Sequence, residues 1–364
     1  MNGVLGQSDG KAHAANADKG ATANGSHPTK SARATSSKDV LFDALLQAAD
    51  LDLDKLRAAS WTRVPDRVRG PVWQLLLGYL PTKRERRDAT LRRKRQEYFD
   101  CLPMYYNNAD AERSEEDQKM LRQILLDIPR TNPGMPLFHC DEVRRSLERM
   151  LYIWAIRHPA SGYVQGMNDL VTPFYVVFLA DHLSDGEIKT INAYDASIVD
   201  SDILRAVEAD SYWCLTKLLD GIQDHYTMLQ PGLQRMFYRL QGIIQRIDQP
   251  LHDHLQNEHV DFNQFAFRWM NCLLVRELEL NSIVRLWDTY LAEEREGFDS
   301  FHVYVCAALL VTWSNELQRM SFQDLLMFLQ NLPTSDWDVV RIEELLGQAF
   351  ILKTLFNESP SHLV

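Results

Sequence analysis

From Val40 onward, apolar residues recur at i, i+3, i+4 and i+7 almost everywhere, the spacing of one face of an α-helix and not the alternation of a half-buried strand. Val143, Leu147, Met150, Leu151 and Trp154 fall on one face of a helix that Asp141 is placed to cap. Phe262, Phe265, Trp269 and Leu273 form a second stripe of the same kind. The run Val303 to Trp313 is apolar nearly all round, which predicts a central buried helix. Ser321-Phe-Gln-Asp324 has the pattern of a capping box at the head of another helix. Regularly spaced alternating segments and Asn-Gly hairpin turns do not occur, so the expected fold class is all-α. Stretches rich in Gly, Asp, Ser or Pro near 107–114, 131–136, 184–202 and 292–300 read as breaks, with a lobe boundary expected near 200–212.

Residues 1–39 contain no aromatic and almost no large aliphatic side chain, and cannot bury enough apolar surface to offset the entropy of ordering. A disordered tail is expected there, without the apolar centre of a secretory signal, followed by a folded region over 40–364. No uninterrupted apolar stretch reaches the ~18 residues of a membrane span; the longest, near Leu170 to Ala180, is short and holds Pro173. Cys101, Cys140, Cys214, Cys272 and Cys306 are odd in number and scattered, which disfavours a disulfide framework or zinc ribbon and fits a reduced, cytoplasmic setting. The formal net charge of −11 argues against nucleic acid as a partner, because such binding draws its affinity mainly from neutralising phosphates.

Several chemistries lack their residues. There is no Gly-x-x-x-x-Gly-Lys phosphate loop, no Gly-x-Gly-x-x-Gly, no Gly-x-Ser-x-Gly elbow and no His-Glu-x-x-His pair. His252, His254 and His259 sit close in sequence, but positions i and i+2 of a helix do not face each other, so no metal site is expected.

Two short segments stand out instead. Ile124-Leu-Leu-Asp127-Ile-Pro129-Arg130 ends a predicted amphipathic helix whose inward face is Met120, Leu121, Ile124 and Leu125. The helix should stop at Ile128, since the residue before proline is biased away from the α region, and Thr131-Asn-Pro133-Gly134 turns the chain back. Arg130 is thereby expected on a stiff, exposed corner, with Asp127 one turn away to hold its guanidinium or cap an amide. Tyr163-Val-Gln165-Gly166-Met-Asn168 follows 35 residues later, its glutamine flanked by Gly162 and Gly166, which permit a sharp turn and close approach. Asn168 or Asp169 is placed to start the next helix.

The pair Ile-x-x-Asp-x-x-Arg and Tyr-x-Gln-Gly-x-Asn resembles the signature of the TBC domain, the Rab GTPase-activating module. Arg63-Val-Pro-Asp-Arg-Val-Arg69-Gly-Pro-Val-Trp73, Phe265-Ala-Phe-Arg268-Trp269 and Arg285-Leu-Trp287-Asp288 match its other blocks, although Arg63 stands where the family usually has glycine. The match covers roughly 61–340, with a family core at about 63–294. Trp154-Ala-Ile-Arg-His158 and Asn257-Glu-His-Val260 look most like the Golgi-associated subgroup that includes fungal Gyp-type proteins.

The resemblance implies a two-lobed helical fold, with an amino-terminal lobe over about 40–210 holding both motifs and a carboxy-terminal lobe over 211–364. It implies a helper in vesicle traffic, with no reaction and no cofactor of its own, that lends Arg130 and Gln165 to a Rab-family GTPase in the GTP state; GTP and Mg²⁺ come with that partner. Tyr163 and Asn168 would hold the loop, and Arg69 and Trp73 would support the site or touch the GTPase, although Trp73 reads equally well as core. A catalytically silent scaffold that binds a GTPase or adaptor is the alternative, disfavoured because both motifs are intact. Lys83 to Glu97 carries eight basic against three acidic residues, net +5, leaving the rest at −16. It is open to three readings: a solvated face with its own ion pairs, a contact with an acidic GTPase or adaptor surface, or a peripheral contact with anionic Golgi or other transport membranes.

Overall fold

A computed structural model describes residues 36–107, 113–183 and 199–357. The chain divides into two units at 36/37, and the second is described below. Its helices are α1 Ser37–Gln47, α2 Leu53–Ser60, α3 Arg69–Leu76, α4 Arg87–Cys101, α5 Glu115–Asp127, α6 Asp141–Arg157, α7 Met167–Ala180, α8 Ser201–Gly221, α9 Pro231–Ile247, α10 Gln249–Asn257, α11 Phe262–Asn271, α12 Leu280–Ala292, α13 His302–Thr312, α14 Ser314–Leu317, α15 Phe322–Gln330 and α16 Val339–Asn357. The described residues contain no strand, only an isolated bridge between Asp50 and Lys83, so the all-α expectation holds.

The most deeply buried described element is α7, every residue of which is buried. It packs against α6, α8 and α12, and its apolar sequence reflects contact on all sides rather than a membrane. Pro173 offers no N–H to the carbonyl of Asp169, and the Thr172 hydroxyl donates to that oxygen instead, at 2.8 Å. The predicted buried helix at 303–313 is α13, which packs on α16, α9 and α11. No described helix is long and apolar enough to cross a membrane.

Several local expectations change. Helix α1 begins at Ser37, so Lys38 and Asp39 are helical and Asp39 pairs with Arg67 at 3.2 Å; residues 1–35 of the expected tail lie outside the described residues. Helix α8 is unbroken from Ser201 across the stretch where a lobe boundary was expected, and its buried face from Val207 to Leu219 packs on α7, α6 and α4. Asp141 is the first residue of α6, behind a Cys140 that caps nothing with its side chain. The Ser321 hydroxyl donates to Asp324 at 2.9 Å and caps no backbone. In α5 the buried face is Ile124, Asp127 and, just beyond, Ile128; Leu125, expected inward, is exposed because the helix is rotated to bury the carboxylate.

Candidate functional site

Helix α5 starts cleanly. Ser114 accepts the Asp117 N–H at 3.1 Å, and Glu115, Glu116 and Asp117 place negative charge at the positive end of the helix. It passes at Ile128 into a single 3₁₀ turn, Ile128–Arg130, held tight by Pro129. Arg130 emerges there with its side chain 58% exposed, its Nε donating to Leu126 O at 3.1 Å and its guanidinium paired with Asp127.

The second segment follows α6, where His158 stacks on Trp154 and Gly162 N bonds His158 O at 2.8 Å. Gly166 caps α7 with φ +104°, and a Cβ there would lie 2.5 Å from Asn271 Nδ2, so glycine is needed for both conformation and space. The Gln165 side chain is exposed, while its backbone oxygen accepts from Asn271 Nδ2 at 2.9 Å.

One buried polar network joins the two. The Tyr163 hydroxyl donates to Asp127 at 2.8 Å and lies 3.2 Å from Asn168 Oδ1. Asn168 Nδ2 donates to the Thr131 hydroxyl at 2.9 Å, and Asn168 Oδ1 accepts from Gly166 N at 3.2 Å. Burial, then the facing Asp127 carboxylate, pushes the Tyr163 phenol far above its ordinary pKa, so it stays a hydrogen-bond donor. Burial likewise raises Asp169 to about 6 against the pull of Arg276, whose Nε sits 2.7 Å away. Asp127, Tyr163 and Asn168 thus lie together as a frame, with Arg130 and Gln165 projecting from it.

Arg69 and Trp73 lie elsewhere. Both are buried on Asp288 of α12: Arg69 Nε at 3.1 Å and Trp73 Nε1 at 2.7 Å, joined by Val64 N at 2.9 Å. Burial opposes the charge on Arg69, but Asp288 and Asp66 outweigh it. Arg69 and Trp73, expected to support the site or touch the GTPase, are both buried and cross-link α3 to α12. The basic segment is partly consumed in the same way. Arg87 donates to three backbone oxygens, those of Pro81, Thr82 and Leu46, while Arg93 and Lys94 pair with Glu97 and Arg95 with Asp210 at 2.7 Å.

Sequence reasoning missed Asn271, Arg276 and Tyr226. The Tyr226 hydroxyl holds Asn271 O at 2.8 Å, so all three brace the glutamine loop from the carboxy-terminal half. Asn271 stands at the end of the apolar stripe of α11, and a buried amide there was the available signal. No group of described acidic, His or Cys residues could hold a metal ion.

The profile of the Rab-GTPase-TBC domain matches residues 66–318. The chain is 52% identical over 322 residues to the GTPase-activating protein gyp1 of Schizosaccharomyces pombe, covering 88% of this chain and 62% of that protein. It is equally similar, over the same shares, to TBC1 domain family member 22B of Homo sapiens. Thus the chain spans about 62% of the length of these curated relatives. The crystal structure of the Ypt/Rab-GAP domain of Gyp1p superposes with a TM-score of 0.83 at 47% identity, covering 88% of this chain and 98% of that one.

Proposed function

Since this chain belongs to the Rab-GTPase-TBC domain family, we propose that it is a GTPase-activating protein that accelerates GTP hydrolysis by a Rab-family GTPase, lending Arg130 and Gln165 in trans. The observation that carries the reading is the pairing itself. An arginine and a glutamine, exposed on rigid corners, are fixed to each other's loops through Asp127, Tyr163 and Asn168. Phosphoryl transfer needs positioned charge more than acid–base chemistry, and a planar guanidinium can contact two γ-phosphoryl oxygens as negative charge spreads over them. Gln165 takes the part of orienting the attacking water.

Arg130 must exchange its bond to Asp127 for the phosphate, but its backbone is already placed, so docking costs it less entropy. Nucleotide and Mg²⁺ arrive with the GTPase. The chain works in the cytoplasm, at the surface of Golgi or related transport membranes; its likeness to the Gyp-type subgroup supports this. Lys83, Arg84, Arg86, Arg92 and Arg93 are the exposed members of the basic segment, Arg93 paired with Glu97, and are the groups available for a peripheral membrane or adaptor contact.

Single-turnover hydrolysis across a panel of purified Rabs tests the reading. One or a few Rabs should be stimulated strongly, with Arg130→Ala reducing stimulation by about 10³ or more while binding stays within a few fold. Binding without stimulation of any Rab would replace the activator by a scaffold.

A further inference from the structure

A hydrogen-bonded chain leads from the Gln165 loop to a turn that the two fingers do not use. Asn271 holds Gln165 O through its side chain and receives the Tyr226 hydroxyl on its own backbone oxygen. Tyr226 leads into the turn 227–230, which is closed by Gln230 N on Thr227 O at 2.9 Å and held by Gln230 Nε2 on His225 O at 3.1 Å. Turn and loop line one open cavity of about 580 Å³, with Val164, Gln165, Met228 and Phe267 on its walls.

At the tip of the turn Met228 and Leu229 are 86% and 83% exposed. Leu229 has φ +68° and Gln230 φ +46°, a left-handed pair that residues with large side chains rarely adopt. A strained turn that shows two large apolar side chains to water gives little back to the fold, and such features gather at binding surfaces. At the other finger Leu126, whose carbonyl holds Arg130 Nε, is 64% exposed and offers a second apolar shoulder.

We infer that Met228 and Leu229 form a docking shoulder for the GTPase, seated on an apolar surface beside its nucleotide site and setting which GTPase is accepted. The inference rests on the function proposed above. The occupant is the GTPase because the turn is continuous with the Gln165 loop and rigidly tied to it, so whatever receives Gln165 also meets the turn. The contact is made equally before and during the reaction, and therefore governs binding rather than the chemical step.

The test compares the native chain with the double variant Met228→Ser, Leu229→Asn, in which asparagine keeps the left-handed turn accessible. Three readouts are taken with a Rab that binds the native chain: single-turnover rates over a range of activator concentration, equilibrium binding to the Rab loaded with a non-hydrolysable GTP analogue, and the oligomeric state of each chain alone in solution. The half-saturating concentration and the Kd should both rise roughly tenfold or more, the consequence of exposing two apolar side chains that were buried at an interface, with the plateau rate within about twofold. Unchanged Kd and half-saturation would overturn the inference. So would a fallen plateau at unchanged half-saturation, which would make the turn only a brace for Gln165, or a native dimer that the variant dissolves. A native chain that binds the Rab but stimulates nothing, with the variant binding more weakly, would sink the activator reading and keep the shoulder.

Discussion

Arg130 and Gln165, the two residues proposed to act on the GTPase, are exposed, and buried neighbours fix their loops. Asp127 carries the largest share: it binds the arginine, the Tyr163 hydroxyl and, at 3.3 Å, Gln123. Asn271 does the same for the glutamine by fixing the carbonyl of Gln165 itself. Asn271→Ala should lower the plateau rate of stimulated hydrolysis by about 10- to 100-fold, with the half-saturating concentration nearly unchanged, because a loosened Gln165 costs orientation and not binding. An unchanged plateau in single-turnover measurements would show that the loop needs no such brace. The backbone course of the two motifs was legible in the sequence because proline and glycine dictate local geometry. Asn271, Arg276 and Tyr226 were not, since only the folded chain brings them more than sixty residues across to that loop.

At the scale of elements, helical periodicity carried most of the assignment, and it failed where a buried polar group set the phase. Helix α5 turns Asp127 inward and Leu125 outward, which no apolar count foresees. Helix α8 runs unbroken where a lobe boundary was expected, its buried face packed against α4, α6 and α7. The join between α3 and α12 rests on Asp288, a fully buried carboxylate that serves Arg69, Trp73 and Val64 N at once. Removing it strands the buried Arg69 guanidinium, so Asp288→Ala should destabilise the fold by about 3–5 kcal/mol, read as a lowered urea midpoint. A loss below about 1 kcal/mol would mean that Asp66 and the Val64 carbonyl, its other partners, suffice for Arg69.

Over the whole molecule, buried titratable groups tie stability to pH. Burial first, with His225 adding, pushes His302 down to about 3, while its ring meets Tyr290 OH at 2.8 Å and Trp269 O at 3.1 Å. The unfolded chain takes up this proton near pH 6.5 and the folded chain only near 3, so the contribution is fully present above about 6.5 and is lost as pH falls toward 3. Urea unfolding from pH 7 to 4 should show stability declining with a slope approaching about 1.4 kcal/mol per pH unit from this group, a component that His302→Gln removes. Equal slopes in the two chains would show that His302 charges as easily in the folded state as outside it.

The central claim is that this chain supplies both the charge and the glutamine for hydrolysis. The direct measurement uses a responsive Rab whose own catalytic glutamine is replaced by alanine, and compares native chain with Gln165→Ala in single-turnover assays. The native chain should still stimulate that Rab, and Gln165→Ala should not. Stimulation lost with the substituted Rab despite preserved binding, or kept by Gln165→Ala, would contradict the account.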